Sequence, residues 1–295
     1  MKKNIFFGYL IFLLSSVLYV SAGNKTARPV ILNDNDKTTQ EVKEFINRLN
    51  YKNYRSPEFS RELEFFMDSV IVQQPDTVFR ISCELINKSA SDTLCRRWML
   101  EFLFNRAVES PVPWMENVWV KLAEEYYLKQ PNGNEDPGWL ERLKYTVKLK
   151  RNCLIGEKAV LFTALTPEGK RSDLKTLPGK YMIICFYDPD CTHCKKAVPY
   201  LHRLYKKYDR KDLSVVAFNT SDDIDLWNSF IQKHQLQDWT NVWDPDRNIS
   251  EYDSFYDTPL SPSFYILDAD RRIISKDIEI EDVETFLTGS LSSTR

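Results

Sequence analysis

Histidine is scarce in this chain of 295 residues, occurring three times and never as a closely spaced pair. Structural zinc sites use cysteines and histidines in two closely spaced pairs, and a second such pair is missing here. The chain also has almost no net charge: 40 lysines and arginines stand against 42 acidic residues, which gives a formal charge of −2. We therefore expect no metal, no other cofactor and no nucleic-acid partner.

Long apolar runs are missing after the first 22 residues, so the rest of the chain is expected to fold in water. At the beginning, Lys2 and Lys3 precede an apolar segment, residues 5–20, and a compact Val-Ser-Ala sequence ending at Ala22. This order is typical of a secretory signal peptide. We interpret residues 1–22 as a cleaved signal peptide, which predicts an exported, periplasmic protein. The alternative is an uncleaved anchor, and membrane contact is expected only if this segment is retained.

Residues 23–150 lack paired carboxylates, a histidine cluster and a glycine-rich loop, so they carry no signal of chemistry. Apolar residues recur there at helical spacing, in groups separated by proline and glycine. We predict an all-α helical bundle domain over residues 23–150. Its aromatic residues either line a groove or pack in the core, and the helical spacing favours the core for Trp98, Trp114, Trp119 and Trp139.

The pattern changes in residues 151–295, where strands alternate with helices. The runs "KYMIICFY" and "LSVVAF" are typical of buried strands, and "SFYILDADRRIIS" of a hairpin. Helical patterns follow at residues 192–208, 223–234 and 281–287, and an earlier strand pair turns near residue 168 and leads into Ser172, a predicted helix cap. This order predicts an α/β domain with a central mixed sheet flanked by helices, as in the thioredoxin-like fold.

Two cysteines, Cys191 and Cys194, stand two residues apart between a predicted strand and a predicted helix. Free N–H groups and the helix dipole at that junction favour a thiolate, which makes Cys191 the predicted nucleophile. Cys194, one turn further along, is the predicted resolving thiol. His193 either modulates the pair, together with Lys195 and Lys196, or is a solvent-facing helix residue.

A zinc site and a peroxidase site are the alternatives for this pair of cysteines. A zinc half-site would need two further ligands at a recognisable spacing, and the scattered histidines do not provide them. Peroxidases of the same fold place a threonine three residues before the reactive cysteine, whereas this chain has Asp188 there. Both patterns are weak, so the residues favour a redox-active pair.

From about Cys153 to Leu287 the sequence resembles the TlpA-like branch of the thioredoxin superfamily, which comprises exported thiol-disulfide oxidoreductases. The ordered motifs are "TPEGKRSDL", "LPGKYMIICFYDPDCTHCKKAVPYL", "LSVVAF" and "SPSFYILDADRRII". The resemblance implies a redox-active Cys191–Cys194 pair and a cis peptide bond between Ser261 and Pro262, where a substrate chain docks in extended form. Pro259 is a nearby alternative. The N-terminal half resembles a helical domain of unknown function that precedes such domains.

The sequence departs from the family at two positions. Cys185 stands where many thioredoxins have a buried acid, and Ala197 where many TlpA-like proteins have a glutamate. The usual proton acceptor for the resolving thiol is therefore absent at both positions. Among the remaining cysteines, Cys83 and Cys95 flank a turn almost symmetrically, and either a disulfide or two separate thiols fits that spacing.

The sequence thus predicts an exported thiol-disulfide oxidoreductase that reduces protein disulfides, in preference to oxidising or isomerising them. The expected partners are protein or peptide thiols and disulfides, together with an unidentified thiol redox partner. The alternative is a periplasmic binding or scaffold protein with a weakly active thioredoxin-like module. The absence of an acidic residue at positions 185 and 197 favours this alternative.

Overall fold

The structure is a computed structural model that describes residues 37–129 and 135–291. The predicted signal peptide, residues 1–22, lies outside the described residues. Within the described ranges, no helix combines the length and the apolar character needed to cross a bilayer.

The N-terminal part is helical, as the apolar spacing predicts. Its α-helices are α1 Lys37–Arg48, α2 Pro57–Phe65, α3 Pro75–Lys88, α4 Thr93–Val108, α5 Met115–Leu122 and α6 Pro137–Arg151. Local chemistry fixes their starts: the Ser56 hydroxyl accepts the N–H of Phe59 at 3.2 Å at the start of α2, and Asp92 accepts two N–H groups at the start of α4. The π-helical turns Phe66–Val70 and Ala123–Leu128 extend α2 and α5.

One apolar core holds these helices together. Leu63, Phe66, Leu85 and Met99 at its centre are fully buried. The four tryptophans singled out from the sequence are partly buried and pack against this core. Their partial burial against the core, as the helical spacing indicates, stabilises the bundle through apolar contact.

The C-terminal part is built on one seven-stranded mixed sheet with the strand order β2-β1-β5-β4-β3-β6-β7. The strands are β1 Thr163–Leu165, β2 Arg171–Asp173, β3 Tyr181–Tyr187, β4 Leu213–Asn219, β5 Thr240–Trp243, β6 Ser263–Leu267 and β7 Ile273–Lys276. β3 pairs in parallel with β4 and antiparallel with β6. β6 and β7 form the predicted antiparallel hairpin.

Apolar packing covers both faces of the central strands. In β3 every residue after Tyr181 is buried, and alternate side chains contribute to different cores. Cys185 belongs to the core under α7 Cys194–Tyr205, α8 Ile224–His234 and α10 Ile280–Ser290. Phe186 packs on the opposite face, beside the short helix α9 Tyr252–Phe255. A continuous apolar run is the pattern expected of a strand buried on both faces.

One predicted cap is wrong. Ser172 lies in β2, paired with Ala164, and does not begin a helix. Asp173 takes that role, because its carboxylate accepts the N–H of Lys175 at 3.0 Å at the start of a single 3-10 turn. Ser and Asp cap equally well by type, so the strand pairing decides which of the two neighbours is available.

Charged and polar contacts join the two parts of the chain. Lys276 of β7 is 2% exposed and pairs with Glu116 of α5. Lys150 of α6 binds Glu116 at 3.0 Å and Asp257 at 2.5 Å. The carboxylates of Glu116 and Asp257 outweigh the opposing effect of burial and raise the pKa of Lys150 above its usual value. This cluster fastens the helical part to the segment that leads to Pro262.

Candidate functional site

A short turn connects β3 to α7 and carries the two cysteines. The Asp188 carboxylate accepts the N–H of Asp190 at 2.8 Å, and the Asp188 carbonyl accepts the N–H of Cys191 at 3.1 Å. Pro189 has no N–H to donate to a neighbouring strand, and β3 ends just before it, at Tyr187. The carbonyl of Cys191 then accepts the N–H of Lys195 at 3.0 Å, so helical hydrogen bonding begins at Cys191 itself.

Cys191 is half-buried and free, at the junction of strand and helix that the sequence predicts. The N–H of Cys194 points to its sulfur at a distance of 3.4 Å. Its S–H donates to the carbonyl of Ser261 at 3.1 Å. A free backbone N–H at the start of a helix stabilises negative charge on this sulfur.

Cys194 is the first residue of α7 and is fully buried and free. Its sulfur lies 3.1 Å from the hydroxyl oxygen of Ser261. Burial raises the pKa of Cys194 to about 12, an effect that the Ser261 hydroxyl opposes. The two thiols thus differ in access, because solvent reaches Cys191 and not Cys194.

Ser261 and Pro262 come from the loop before β6 and lie against both cysteines. The peptide bond between them is cis. The Ser261 hydroxyl also accepts the N–H of Asp188 at 3.1 Å. The sequence predicts a role for the Ser261 backbone only, and the contact of its side chain with Cys194 is a finding of the structure. A serine beside a proline is common in loops, so no pattern in the sequence indicated the contact.

The charged residues around the pair are solvent-facing. His193 is exposed and, with Pro262 and Lys196, borders a groove of about 420 Å³. The hydrogen-bond partners of the two sulfurs are the Cys194 N–H and the carbonyl and hydroxyl of Ser261, and His193 is not among them. Lys195 pairs with Asp190 at 2.8 Å, which lowers the pKa of that carboxyl and balances the lysine charge. Lys195 therefore adds less positive field at the sulfurs than the sequence suggests.

The two positions that lack an acid both lie in the core beside the buried thiol. Cys185 is fully buried, and burial, with a contribution from Cys194, raises its pKa well above the ordinary thiol value. Ala197 is buried on α7. Neither side chain is an acceptor for the proton of Cys194 near neutral pH.

The other cysteines are free as well. Cys83 and Cys95 have separate surroundings: Cys83 interacts with the Tyr126 hydroxyl, and the Cys95 thiol donates to the Tyr51 carbonyl at 3.5 Å. The spacing of Cys83 and Cys95 is compatible with a disulfide or with two separate thiols, and the structure has two separate thiols. Across residues 37–129 and 135–291, no group of three or more His, Cys, Asp or Glu side chains is arranged to hold a metal ion.

Comparison with known proteins agrees with this geometry. Residues 155–276 match the AhpC/TSA family. This part of the chain is a thioredoxin-like domain. The thioredoxin-like domain is 27% identical over 127 residues to thiol-disulfide oxidoreductase ResA of Bacillus cereus, covering 43% of this chain and 71% of that protein. Its identity to ResA of Bacillus subtilis is 25% over 125 residues, covering 42% of this chain and 68% of that one. The protein is a thioredoxin-like thiol-disulfide oxidoreductase.

The two-part architecture also occurs in a solved structure. A thioredoxin-like protein from Bacteroides caccae superimposes with a TM-score of 0.59 at 19% identity, covering 90% of this chain and 98% of that one. At this identity the likeness concerns the fold. The helical part and the thioredoxin-like domain therefore recur together.

Proposed function

We propose that Cys191 and Cys194 are the redox pair of this oxidoreductase and that it reduces protein disulfides outside the cytoplasm. The observation that carries the proposal is the asymmetry of two free thiols within one helical turn. Cys191 is half-exposed beside a backbone N–H, while Cys194 is fully buried behind it. In this arrangement Cys191 attacks a substrate disulfide, and Cys194 then breaks the mixed disulfide.

The loop at Ser261 and Pro262 is proposed to dock the substrate. Its position beside the Cys191 sulfur supports this, because a substrate sulfur attacking or leaving at Cys191 must pass next to the loop. His193 borders the adjoining groove and is proposed to modulate the pair through its charge when protonated. The substrates are protein or peptide disulfides, and a separate thiol partner restores the dithiol.

The test is capture of substrates by a variant that cannot resolve. With Cys194→Ser, the first step proceeds and the second cannot, so mixed disulfides through Cys191 should accumulate in cells and be recovered under non-reducing conditions. The matched control is the double variant Cys191→Ser/Cys194→Ser, which should trap none. Equal recovery from both variants, or none from an accessible Cys191, would refute the assignment.

Reduction is proposed as the direction by analogy with the TlpA-like family. The direction is measured by equilibrating the Cys191–Cys194 couple in glutathione buffers. A potential near that of thioredoxin, about −270 mV, supports reduction, and one near that of a strong periplasmic oxidant, about −120 mV, reverses it.

Export and domain division are parts of the same proposal. The pattern of residues 1–22 supports a signal peptide, and residues 23–150 and 151–295 are proposed as helical and thioredoxin-like domains. The mass of the protein purified from the periplasm checks the first point, since removal of residues 1–22 predicts a terminus at Gly23. A periplasmic protein that retains Met1 would indicate an anchor instead.

A weakly active binding or scaffold protein is the second candidate. The absence of an acid at Cys185 and Ala197 favours it, because general acid–base help at that place usually speeds the exchange. Insulin reduction separates the two functions. Near-zero turnover by a folded chain would favour binding.

A further inference from the structure

The Ser261 hydroxyl has a contact that the proposed exchange does not yet use. Its oxygen lies 3.1 Å from the sulfur of Cys194 and also 3.1 Å from the backbone nitrogen of Asp188. The nitrogen of Asp188 is a donor, so the serine oxygen is the acceptor in that bond. A hydroxyl has one proton and two lone pairs, which leaves the serine proton for a second partner.

The direction of the second bond follows from the state of the sulfur. A thiol at Cys194 can donate to the serine or accept from it, whereas a thiolate can only accept. The serine oxygen already accepts the Asp188 N–H, which leaves its own proton available to a partner 3.1 Å away at Cys194. The loop therefore places a potential donor beside a buried sulfur that must become negative in order to react.

We propose that the Ser261 hydroxyl donates a hydrogen bond to the Cys194 thiolate and thereby promotes the resolving step of the exchange. The inference rests on the proposed redox function of the pair and adds a residue to it. It also accounts for how a chain with Cys185 and Ala197 in place of acids activates a buried thiol: the serine stabilises the thiolate and takes up no proton itself.

Before the resolving step, Cys191 is joined to a substrate sulfur and Cys194 carries a proton. Cys194 gives up this proton, its thiolate attacks the Cys191 sulfur, the bond from Cys191 to the substrate breaks, and the Cys191–Cys194 disulfide forms. The leaving substrate sulfur takes up the proton that Cys194 lost and departs as a thiol. Two electrons have then passed from the enzyme dithiol to the substrate disulfide.

Several groups set the charge state of Cys194. Those facing it are Cys185 and Tyr187 of β3, Asp188 and Cys191 of the connecting turn, and Ser261 of the loop. Burial raises the pKa of Cys194 to about 12, and the serine lowers it. Loss of the serine hydroxyl should raise this pKa further, so at every pH below it a smaller fraction is thiolate and resolution is slower.

The experiment separates the two steps with a small disulfide, 5,5′-dithiobis(2-nitrobenzoate). The full chain is used in a Cys83→Ala background, since Cys83 is the other half-buried thiol. One equivalent of the coloured thiol is released when Cys191 attacks and a second when Cys194 resolves. Three variants are compared. Ser261→Ala removes the hydroxyl. Ser261→Thr and Ser261→Val form a matched pair, since threonine and valine have nearly the same shape and only threonine has a hydroxyl.

In every variant we expect the rate of the first phase, the attack by Cys191, to stay within about two-fold of the rate in the parent. The second phase should slow about ten-fold in Ser261→Ala and Ser261→Val, a hydrogen bond to a charged group being of this size. In each of these two variants, the second phase should reach any given rate at a pH about one unit higher than in the parent. Ser261→Thr should restore the parent rate. Ser263→Ala, which removes a hydroxyl that donates to the Leu260 carbonyl in the same loop, should leave both phases unchanged.

A second phase of parental rate in Ser261→Ala overturns the inference, as does equal slowing by Ser261→Thr and Ser261→Val. Slowing by Ser263→Ala to the same degree would assign the effect to the loop. Failure of the redox proposal has a different signature: the parent itself would release no second equivalent, or release would not depend on Cys191.

Discussion

Burial distinguishes the six thiols of this chain at the scale of single residues. Cys191 and Cys83 are half-buried, and Cys95, Cys153, Cys185 and Cys194 are buried. Reactivity follows thiolate character and access together. Burial raises the pKa of Cys83 despite its interaction with Tyr126, and Cys191 instead has the N–H of Cys194 at its sulfur.

Alkylation of the reduced, folded chain should therefore be selective. Iodoacetamide at neutral pH is expected to modify Cys191 first and Cys83 more slowly, because burial disfavours the Cys83 thiolate. The four buried thiols should react only after unfolding in denaturant. Mass spectrometry of peptides gives the order, and Cys191→Ser should remove the fast phase. Modification of Cys194 as fast as Cys191 would contradict the proposed asymmetry.

At the scale of elements, a glycine fixes the entry to the strand that carries the site. Gly179 precedes β3 with φ of +107°, a conformation that residues with a Cβ rarely adopt. A Cβ there would lie 2.8 Å from the Tyr181 carbonyl oxygen and 2.9 Å from the Ser214 nitrogen. Arg271, in the turn between β6 and β7, donates to the Gly179 carbonyl at 3.0 Å. The backbones of β3 and β4 and the side chain of Arg271 meet at this point.

Gly179→Ala should destabilise the chain by about 2–4 kcal/mol, combining backbone strain with a steric clash. The matched control is Gly169→Ala. Gly169 also has a positive φ, +73°, but an added Cβ would meet no heavy atom within 4 Å. That variant should lose only about 1–2 kcal/mol from strain. Urea denaturation measures the free energy of unfolding of both variants. Equal denaturation midpoints would show that the neighbouring backbone moves and relieves the clash at Gly179.

At the scale of the whole molecule, buried charges join the helical part to the thioredoxin-like domain. Lys276 is 2% exposed, and Glu116 pairs with both Lys276 and Lys150. Lys150 also holds Asp257, whose carbonyl accepts the hydroxyl of Tyr265. Such a cluster contributes little to stability when complete, but removal of Glu116 would leave the buried Lys276 with only the weaker contact to Asp277 at 3.8 Å among its ion pairs in the described residues.

Glu116→Gln should lower the free energy of unfolding by up to about 3–5 kcal/mol, because Lys276, 2% exposed, then retains the more distant Asp277, at 3.8 Å, as its charged partner. The control is Glu84→Gln, which breaks the exposed pair of Arg80 and Glu84 on α3 and should cost less than about 1 kcal/mol. Urea denaturation followed by circular dichroism compares the two. A loss in Glu116→Gln no greater than in the control would mean that Lys276 has another sufficient partner, and the cluster would not join the two parts.

Short-range patterns in the sequence predict much of the fold and part of the site. The apolar run of β3, the Asp-Pro turn and the helical pattern after it are short-range features, and they place Cys191 and Cys194 at a strand–helix junction. The hairpin of β6 and β7 follows from its turn residues in the same way. Strand β5 and the short helix α9 were not predicted, because their brief segments carry too few residues to establish a period.

The sequence alone thus determined the two cysteines, their order of exposure along a helix turn, and the alternation of strands and helices. Only the tertiary structure decided which groups meet the sulfurs. Ser261 lies 67 residues from Cys194 along the chain, and Glu116 lies 160 residues from Lys276. The contact of Ser261 with Cys194 depends on β6 pairing with β3 in one register, with Phe186 opposite Ser263, so that the start of β6 meets the end of β3. Register is set by packing across the whole sheet, which no local pattern contains.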